Sequence, residues 1–155
     1  MTEAEKMKLG LEMHLEIRLA EQQDIERAIQ YDSHIPVARF LQCVENGQVY
    51  LLLDAETVLG VLRYSLFWQT IPFLEHIYLA ESARGQGFGT RMMQRWENDM
   101  REMGFSAVMT STQADETAWM FYEKRGYRRI GAFLPPLQEA QEWMYWKDLE
   151  SCVSE

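Results

Sequence analysis

The stretch Arg84-Gly85-Gln86-Gly87-Phe88-Gly89-Thr90 joins an apolar, strand-like run to a strongly amphipathic helix through three alternate glycines. Glycine lacks the Cβ that would keep backbone N–H groups away from a ligand, and it allows the positive φ angles that turn those groups inward. The helix that begins near Gly87 adds its own unpaired amides and the positive end of its dipole. The stretch therefore predicts a site for a pyrophosphate.

The residues around the glycines narrow the choice of phosphate ligand. A Walker loop needs Lys and then Ser or Thr directly after its last glycine, and Thr90-Arg91 does not supply them. A Rossmann fingerprint has a third glycine where Thr90 stands, and it lies near the first strand of a parallel unit rather than past mid-chain. The pattern Arg-x-x-Gly-x-Gly after a strand instead resembles that of the GNAT superfamily of acetyl-CoA-dependent N-acetyltransferases.

A second stretch extends this resemblance. Residues 115–127 read Asp-Glu-Thr-Ala-Trp-Met-Phe-Tyr-Glu-Lys-Arg-Gly-Tyr, which is similar to the second GNAT signature, an Asn-x-x-Ala start that leads to a tyrosine and then to glycine and an aromatic residue. One helix and one short strand fit between the two motifs, which together cover residues 74–131. Asp115 stands where the family often has asparagine, and an ionised carboxylate lacks the N–H donor of an amide.

Length and composition fit one ordinary domain. A chain of 155 residues with 47% hydrophobic residues can bury one substantial core, and only residues 1–8 read as a loose or helical leader. No stretch approaches the ~20 apolar residues of a membrane span, and the N-terminus lacks the apolar region of a secretory signal. We therefore expect a cytoplasmic protein with no membrane partner.

Charge, cysteine and histidine usage argue against several other classes. The net charge of −9 would repel nucleic acid, whereas it would attract a cationic acceptor. Cys43 and Cys152 lie on different predicted elements without metal-like spacing, which favours free thiols. Because His14, His34 and His76 are scattered along the chain, we expect no metal site. The oligomeric state stays open, and a homodimer is compatible with the sequence.

Hydrophobic periodicity and turn residues predict the order of the elements. Strands are predicted at 14–19, 49–54, 58–68, 73–79, 107–111, 127–133 and 143–149, and helices at 21–31, 36–45, 87–103 and 118–125. Helix-bounded central strands with hairpins on either side predict a mixed sheet with helices on both faces. The resemblance implies a single-domain α/β (α+β) GNAT-like fold over residues 1–155, with a mostly antiparallel sheet that splays at its centre.

The resemblance also implies which residues bind acetyl-CoA. In this family the strands before and after the glycine-loop helix splay apart, and the earlier strand offers free backbone groups to the pantetheine arm. The only dense basic cluster lies nearby, and we expect one or two of its members to hold the ribose phosphate, with Lys124 as the first candidate. The cluster consists of Lys124, Arg125, Arg128 and Arg129. The residues placed at the cofactor are Ile77, Tyr78 and Leu79 on the strand, Arg84, Gly85, Gln86, Gly87, Phe88, Gly89 and Thr90 in the loop, and Asp115, Ala118, Tyr122 and Lys124 in the second motif.

Acetyl transfer to an amine requires a base for the ammonium, a donor for the oxyanion and an acid for the thiolate. The resemblance assigns the acid to Tyr122, which stays protonated at neutral pH, and the oxyanion donor to an amide near Leu79. Glu75 is the preferred base, because the period of two places it on the same strand face as Leu79. His76 and Tyr78 project to the other face and are second choices.

The acceptor side of this family is walled by the first helices and the hairpin, which here offer Tyr31, Asp32, His34 and Trp68. An aspartate among aromatic rings suits an ammonium through charge and cation–π contact. Because neither cysteine lies in the predicted site, direct attack in a ternary complex is preferred to an acetyl-cysteine intermediate.

The sequence thus predicts an N-acetyltransferase that acetylates a primary amine of a small cationic molecule or of a protein. Two other classes stay open, a non-catalytic sensor that binds acyl-CoA and a nucleotide-binding module, because both would use the same glycine loop.

Overall fold

The computed structural model describes residues 14–150 together with Thr2 and Glu5. The leader predicted at 1–8, apart from these two residues, and Cys152 lie outside the described residues. The strands are β1 Leu15–Leu19, β2 Val49–Asp54, β3 Thr57–Phe67, β4 Ile71–Leu79, β5 Ala107–Gln113, β6 Arg128–Phe133 and β7 Glu142–Asp148. The helices are α1 Ile25–Ala28, flanked by 3₁₀ turns at Gln22–Asp24 and Ile29–Tyr31, α2 Val37–Glu45, α3 Phe88–Glu102 and α4 Ala118–Lys124.

Seven strands form a mixed sheet in the order β1-β2-β3-β4-β5-β7-β6. β2 pairs antiparallel with both β1 and β3, and β7 pairs antiparallel with both β5 and β6. β4 and β5 are parallel. Because parallel neighbours need a long crossover connection, the 15-residue helix α3 separates these two strands in the chain. The mixed, mostly antiparallel sheet expected from the sequence is confirmed.

The parallel ladder between β4 and β5 is short. It joins Phe73 to Met109 and Leu74 to Thr110, although both strands continue beyond these residues.

The chain divides into two compact units, of which the first comprises residues 14–64 and 76–96 among those described. Its core lies on both faces of β2, because successive residues of a strand point to opposite sides. On one face, Leu51 shares a hydrophobic cluster with Phe40 of α2. On the other face, the ring of Tyr64 lies 6.4 Å from that of Tyr50 and 5.8 Å from that of Trp96 in α3.

The second unit comprises residues 65–75 and 97–150 among those described. It contains a buried polar network. The hydroxyl of Tyr127 donates to Glu97 Oε2 at 2.8 Å, and Lys147 Nζ donates to Glu97 Oε1 at 2.7 Å. Burial, reinforced by the neighbouring carboxylate, raises the pKa of Tyr127 well above its usual range. The phenol therefore stays protonated and serves as a permanent donor to Glu97, which links α3 to β7 and to the residue before β6.

The predicted elements are present with bounds shifted by a few residues. β4 begins at Ile71 rather than at 73, and β5 extends to Gln113 rather than to 111. The strand predicted to reach Trp68 ends at Phe67, because Trp68 and Gln69 adopt φ angles of 54° and 62° in the following turn. Chain direction reverses there without any glycine.

Three further features concern the part of the chain that the structure describes. None of its helices is both long enough and apolar enough to cross a membrane. Its His, Cys, Asp and Glu side chains form no group of three or more that could hold a metal ion. Cys43 is partly buried and forms no disulfide with another described residue.

Candidate functional site

The glycine loop, residues 84–90, has the backbone geometry of an anion cradle. Gly85 and Gly87 adopt φ angles of 74° and 83°, in the left-handed region that other residues rarely enter. A Cβ at either position would meet no atom within 4 Å, so the space beside both is open to a ligand. The N–H of Arg91 bonds to the Gly87 carbonyl at 3.1 Å, and the amides before it have no carbonyl partner within α3.

Arg84, at the start of the loop, is held against β4. Its Nε donates to the Leu79 carbonyl at 3.0 Å, and its guanidinium lies 5.0 Å from the centre of the Tyr78 ring. This hydrogen bond uses one of the five N–H donors of the guanidinium, and the side chain is exposed. Gln86 Nε2 donates to the Ser82 carbonyl at 3.1 Å, so a side chain of the loop is hydrogen-bonded to the main chain just before it.

The side chains at the end of β4 alternate between two faces. His76 and Tyr78 lie on the face of Tyr31, whose ring stacks on that of Tyr78 at 5.7 Å. Leu79 lies on the α3 face, where a Cβ at Gly60 would approach its Cδ2 to 2.7 Å. The main chain of Ile77, Tyr78 and Leu79 thus lies in the same unit as the glycine loop.

The predicted acceptor residues Tyr31, Asp32 and His34 come together around His76. His76 Nε2 lies 2.7 Å from the Tyr31 carbonyl oxygen and 3.8 Å from Asp32 Oδ1, and its ring meets that of His34 edge-on at 5.9 Å. Asp32 is fully buried and accepts from Arg63 Nε at 2.6 Å. The buried guanidinium of Arg63 neutralises this carboxylate. Asp32 therefore has a structural contact with His76 and Arg63 rather than an exposed negative charge.

Tyr122 is buried on α4 beside the end of the β4–β5 ladder. Its hydroxyl is hydrogen-bonded to Thr110, and Thr110 Oγ1 donates to the Leu74 carbonyl at 3.0 Å. Leu74 and Thr110 form the pair at which the ladder stops, so the phenol lies where the two strands cease to pair. Burial raises the pKa of Tyr122 to about 12, and the bond to Thr110 partly offsets this rise.

Glu75 and Trp68 belong to the β3–β4 hairpin. Glu75 is exposed, and its Oε1 accepts a hydrogen bond from Ser65 Oγ at 2.7 Å. Trp68 lies in the turn with 78% of its surface exposed, and its ring is 4.7 Å from that of Phe67. Strand alternation places Glu75 and His76 on opposite faces of β4. The two base candidates therefore have different neighbours, Ser65 for Glu75 and Tyr31 for His76.

The other predicted cofactor residues flank α4. Asp115 is exposed in the turn after β5, Ala118 is the first residue of α4, and Lys124 is its last and is exposed. Six residues of helical rise separate Ala118 from Lys124 by about 9 Å along the axis. These two residues would therefore meet different parts of an extended ligand.

Arg63 is the site residue that the sequence analysis missed. It is 6% exposed, within a run of β3 that is otherwise apolar or aromatic. The single charge in this run was the available signal, since buried charges are normally paired. Its partner Asp32 lies 31 positions away, and no local pattern connects the two.

Comparison with known proteins agrees with this geometry. Residues 13–127 match the sequence profile of the Acetyltransferase (GNAT) family, while no curated protein sequence matches the chain. Among solved structures, Ard1 from Thermoplasma volcanium has a TM-score of 0.77 and 20% identity, over 86% of this chain and 97% of that one.

Two further structures are similar in fold. The ribosomal-protein-S18-alanine N-acetyltransferase from Escherichia coli has a TM-score of 0.72 and 13% identity, over 87% of this chain and 94% of that one. PaiA N-acetyltransferase from Thermoplasma acidophilum, in complex with coenzyme A, has a TM-score of 0.72 and 14% identity, over 88% of this chain and 99% of that one. At these identities the likeness concerns the fold alone.

Proposed function

Because the chain belongs to the GNAT family of acetyltransferases, whose acetyl donor is acetyl-CoA, we propose that it acetylates a primary amine by direct attack, with Tyr122 as the acid. The single observation that carries this proposal is the position of the Tyr122 hydroxyl. It is bonded to Thr110, at the pair where β4 and β5 separate. In this family the pantetheine arm enters at that separation, so the phenol suits a role at the thioester sulfur.

The glycine loop fits the diphosphate of the donor. Gly85 and Gly87 have the positive φ angles that turn N–H groups toward an anion, and the first turn of α3 adds further amides and the positive end of the helix dipole. Arg84 contributes charge next to these donors. The main chain of residues 77–79 offers N–H and C=O groups that can pair with the amides of the pantetheine arm as a neighbouring strand would.

The chemistry assigned to Tyr122 follows from its protonation. With a pKa of about 12, the phenol remains protonated at neutral pH. Because Thr110 donates its own proton to Leu74, the Tyr122 proton points to Thr110 in the free protein, and it must turn to the sulfur as negative charge develops there. A thiol has a pKa of about 8.5, so complete transfer from the phenol to a free thiolate is uphill. The main contribution is therefore a hydrogen bond that strengthens as the C–S bond breaks.

We propose that the acceptor is a primary amine of a small cationic molecule or of a protein. The rings of Tyr31 and His34 offer apolar and cation–π contact to an amine, and Trp68 presents an exposed indole in the β3–β4 turn. Since Arg63 neutralises Asp32, selection of the amine in this cluster depends on the aromatic rings more than on a free carboxylate.

The test is release of free thiol from acetyl-CoA in the presence of different primary amines. Spermidine, phenylethylamine, free lysine and a short peptide with a free N-terminus sample the acceptor classes. We expect amine-dependent thiol release, with the acetylated amine identified by mass spectrometry. Binding of acetyl-CoA without turnover on any of the four would instead indicate a sensor. Tight binding of ATP or NAD together with indifference to acetyl-CoA would indicate a nucleotide-binding module.

A further inference from the structure

The imidazole of His76 lies at the centre of the acceptor cluster and has no role in the proposal above. Its side chain is 13% exposed. The ring is parallel to that of Tyr78 within 2°, with 6.4 Å between their centroids. The titratable and charged groups that surround it from the neighbouring elements and from its own strand are Tyr31, Asp32, His34, Arg63, Tyr78 and, beyond the Tyr78 ring, Arg84.

One hydrogen bond fixes which nitrogen of His76 carries the proton. Nε2 lies 2.7 Å from the main-chain oxygen of Tyr31, and a carbonyl oxygen can only accept. Nε2 must therefore be protonated and donate. In the neutral imidazole this leaves Nδ1 without a proton and able to accept one. When Nδ1 is protonated, the bond from Nε2 persists, so the ring keeps its orientation in both states.

The two charged side chains next to the His76 ring, Asp32 and Arg63, have opposite charges. Asp32 Oδ1 lies 3.8 Å from His76 Nε2 and would stabilise an imidazolium, whereas Arg63 would oppose it. Arg63 is itself bound to Asp32, with Nε 2.6 Å from Oδ2. The ion pair is thus complete whether His76 is neutral or charged, and the gain of a proton on His76 leaves neither partner unpaired.

We propose, on the basis of the function above, that His76 rather than Glu75 is the base of the transfer, accepting through Nδ1 the proton that the acceptor ammonium must lose. His76 lies on the face of β4 that packs against Tyr31 and the other residues of the acceptor cluster. Glu75 points to the opposite face and is engaged by Ser65. Histidine is also the side chain that most often serves as a general base in enzymes.

The proton balance is closed. The ammonium gives one proton to Nδ1 of His76, and the neutral amine attacks the thioester carbon. The C–N bond forms as the carbonyl electron pair moves to oxygen, and the C–S bond then breaks as the carbonyl reforms, so that its electron pair leaves with sulfur. The nitrogen gives a second proton to water, the thiolate takes up one proton from water, and His76 returns its own proton to water.

The test compares His76→Gln with the wild type and with His14→Gln. Glutamine at position 76 can still donate to the Tyr31 carbonyl but cannot accept a proton. His14→Gln changes an exposed histidine just before β1 and controls for the general effect of the replacement. Acetyl-CoA affinity is measured by calorimetry, and kcat/KM is measured from about pH 5 to 9 with the amine that gives the fastest thiol release.

We expect His76→Gln to bind acetyl-CoA like the wild type, to lose about 100-fold or more in kcat at neutral pH, and to lose the acid limb of the wild-type profile. His14→Gln should behave as the wild type does. An unchanged profile and kcat in His76→Gln would overturn the proposal while leaving the acetyltransferase function intact.

A second measurement is independent of turnover. In a long-range ¹⁵N–¹H spectrum of the wild-type protein at alkaline pH, the His76 ring should be the tautomer with the proton on Nε2. His76→Gln identifies its signals by their loss. A ring protonated on Nδ1 would contradict the assigned role even if no amine were turned over. Failure of acetyl-CoA to bind the wild type would instead refute the proposed function and would leave the tautomer unaffected.

Discussion

At the scale of single residues, burial and hydrogen bonding fix the protonation of two side chains in opposite directions. Burial raises the pKa of Tyr122 to about 12, so the phenol is a donor throughout the physiological range. Hydrogen bonds from Arg18 lower the pKa of Asp24 despite its burial, so this carboxylate stays ionised. The first residue is the proposed acid of the reaction, and the second stabilises the fold.

Replacement of Tyr122 by phenylalanine removes the donor at the point where β4 and β5 separate. We expect kcat to fall about 100-fold with little change in acetyl-CoA affinity, because the hydrogen bond to sulfur strengthens only as the C–S bond breaks. Tyr145→Phe is the matched control, since Tyr145 is another buried tyrosine of the same unit whose hydroxyl donates to Glu123 at 2.8 Å. A Tyr122→Phe enzyme with full kcat would refute the assigned acid.

The lowered pKa of Asp24 predicts that the protein loses stability in acid. Its carboxylate accepts from Arg18 at 2.7 and 3.1 Å, from Arg27 at 2.7 Å and from the Glu21 amide at 2.8 Å. A carboxyl group with a lowered pKa stabilises the fold above its unfolded value, near 3.8, and this stabilisation is lost as the pH falls through the folded value.

Asp24→Asn should therefore lower the free energy of unfolding by about 2–3 kcal/mol at neutral pH, since charged hydrogen bonds are lost while the arginines remain partly solvated. Urea denaturation at a series of pH values measures this difference. The gap between variant and wild type should narrow below about pH 4. A gap that stays constant into strong acid would show that the ionised carboxylate is not the stabilising species.

At the scale of elements, the packing of β3 against β4 depends on a residue without a side chain. A Cβ at Gly60 would lie 2.7 Å from Leu79 Cδ2, 3.2 Å from the Tyr78 carbonyl oxygen and 3.3 Å from Met92 Sδ. Main chain and packed side chains therefore both oppose any larger residue there. The close approach positions the end of β4, where the donor's pantetheine arm is proposed to bind.

Gly60→Ala should destabilise the protein by about 1–3 kcal/mol through overpacking, as measured by urea denaturation. Gly131→Ala in β6 is the matched control, because a Cβ there meets nothing within 4 Å and should cost little. Equal stability of the two variants would show that the approach of Leu79 and Met92 to Gly60 is not a constraint on the fold.

The elements that the sequence predicted best are those with a local signal. Helix α3 has apolar residues every three or four positions and a glycine after its end, and its observed range Phe88–Glu102 lies close to the prediction. The turn after β3 could not be read in the same way, because Trp68 and Gln69 take positive φ angles without the glycine or asparagine that usually marks such a turn.

The functional site likewise has features that local sequence predicts and features that depend on residues distant in the chain. Backbone features such as the glycine loop follow from local sequence, since glycine at alternate positions has few other uses before a helix. The contacts among Asp32, Arg63 and His76 join three separate elements, and strand alternation alone could not show what each face of β4 meets. The proposal of His76 rather than Glu75 as the base therefore rests on these contacts and not on the sequence alone.

At the scale of the whole molecule, charge works against the ligand that the loop is proposed to hold. The net charge of −9 repels a diphosphate over long distances, although salt screens this field beyond about 8–10 Å. Affinity must come from short-range donors: the loop amides, the first turn of α3 and Arg84. Binding of the diphosphate is thus proposed to depend mainly on the backbone geometry of the glycine loop.

The most direct test of this claim is calorimetric titration of the wild type and of Gly87→Ala with acetyl-CoA and with acetyl-pantetheine, which lacks the diphosphate. Alanine is strained by about 1–2 kcal/mol at a positive φ, so the loop relaxes and binding must restore its shape. Gly47→Ala, with a φ of 70° at Gly47 outside the site, carries the same strain as a control.

We predict that the wild type and Gly47→Ala bind acetyl-CoA alike and far more tightly than acetyl-pantetheine, and that Gly87→Ala loses about tenfold for acetyl-CoA alone. An absence of heat with acetyl-CoA, or equal affinity for acetyl-CoA and acetyl-pantetheine, would contradict the account.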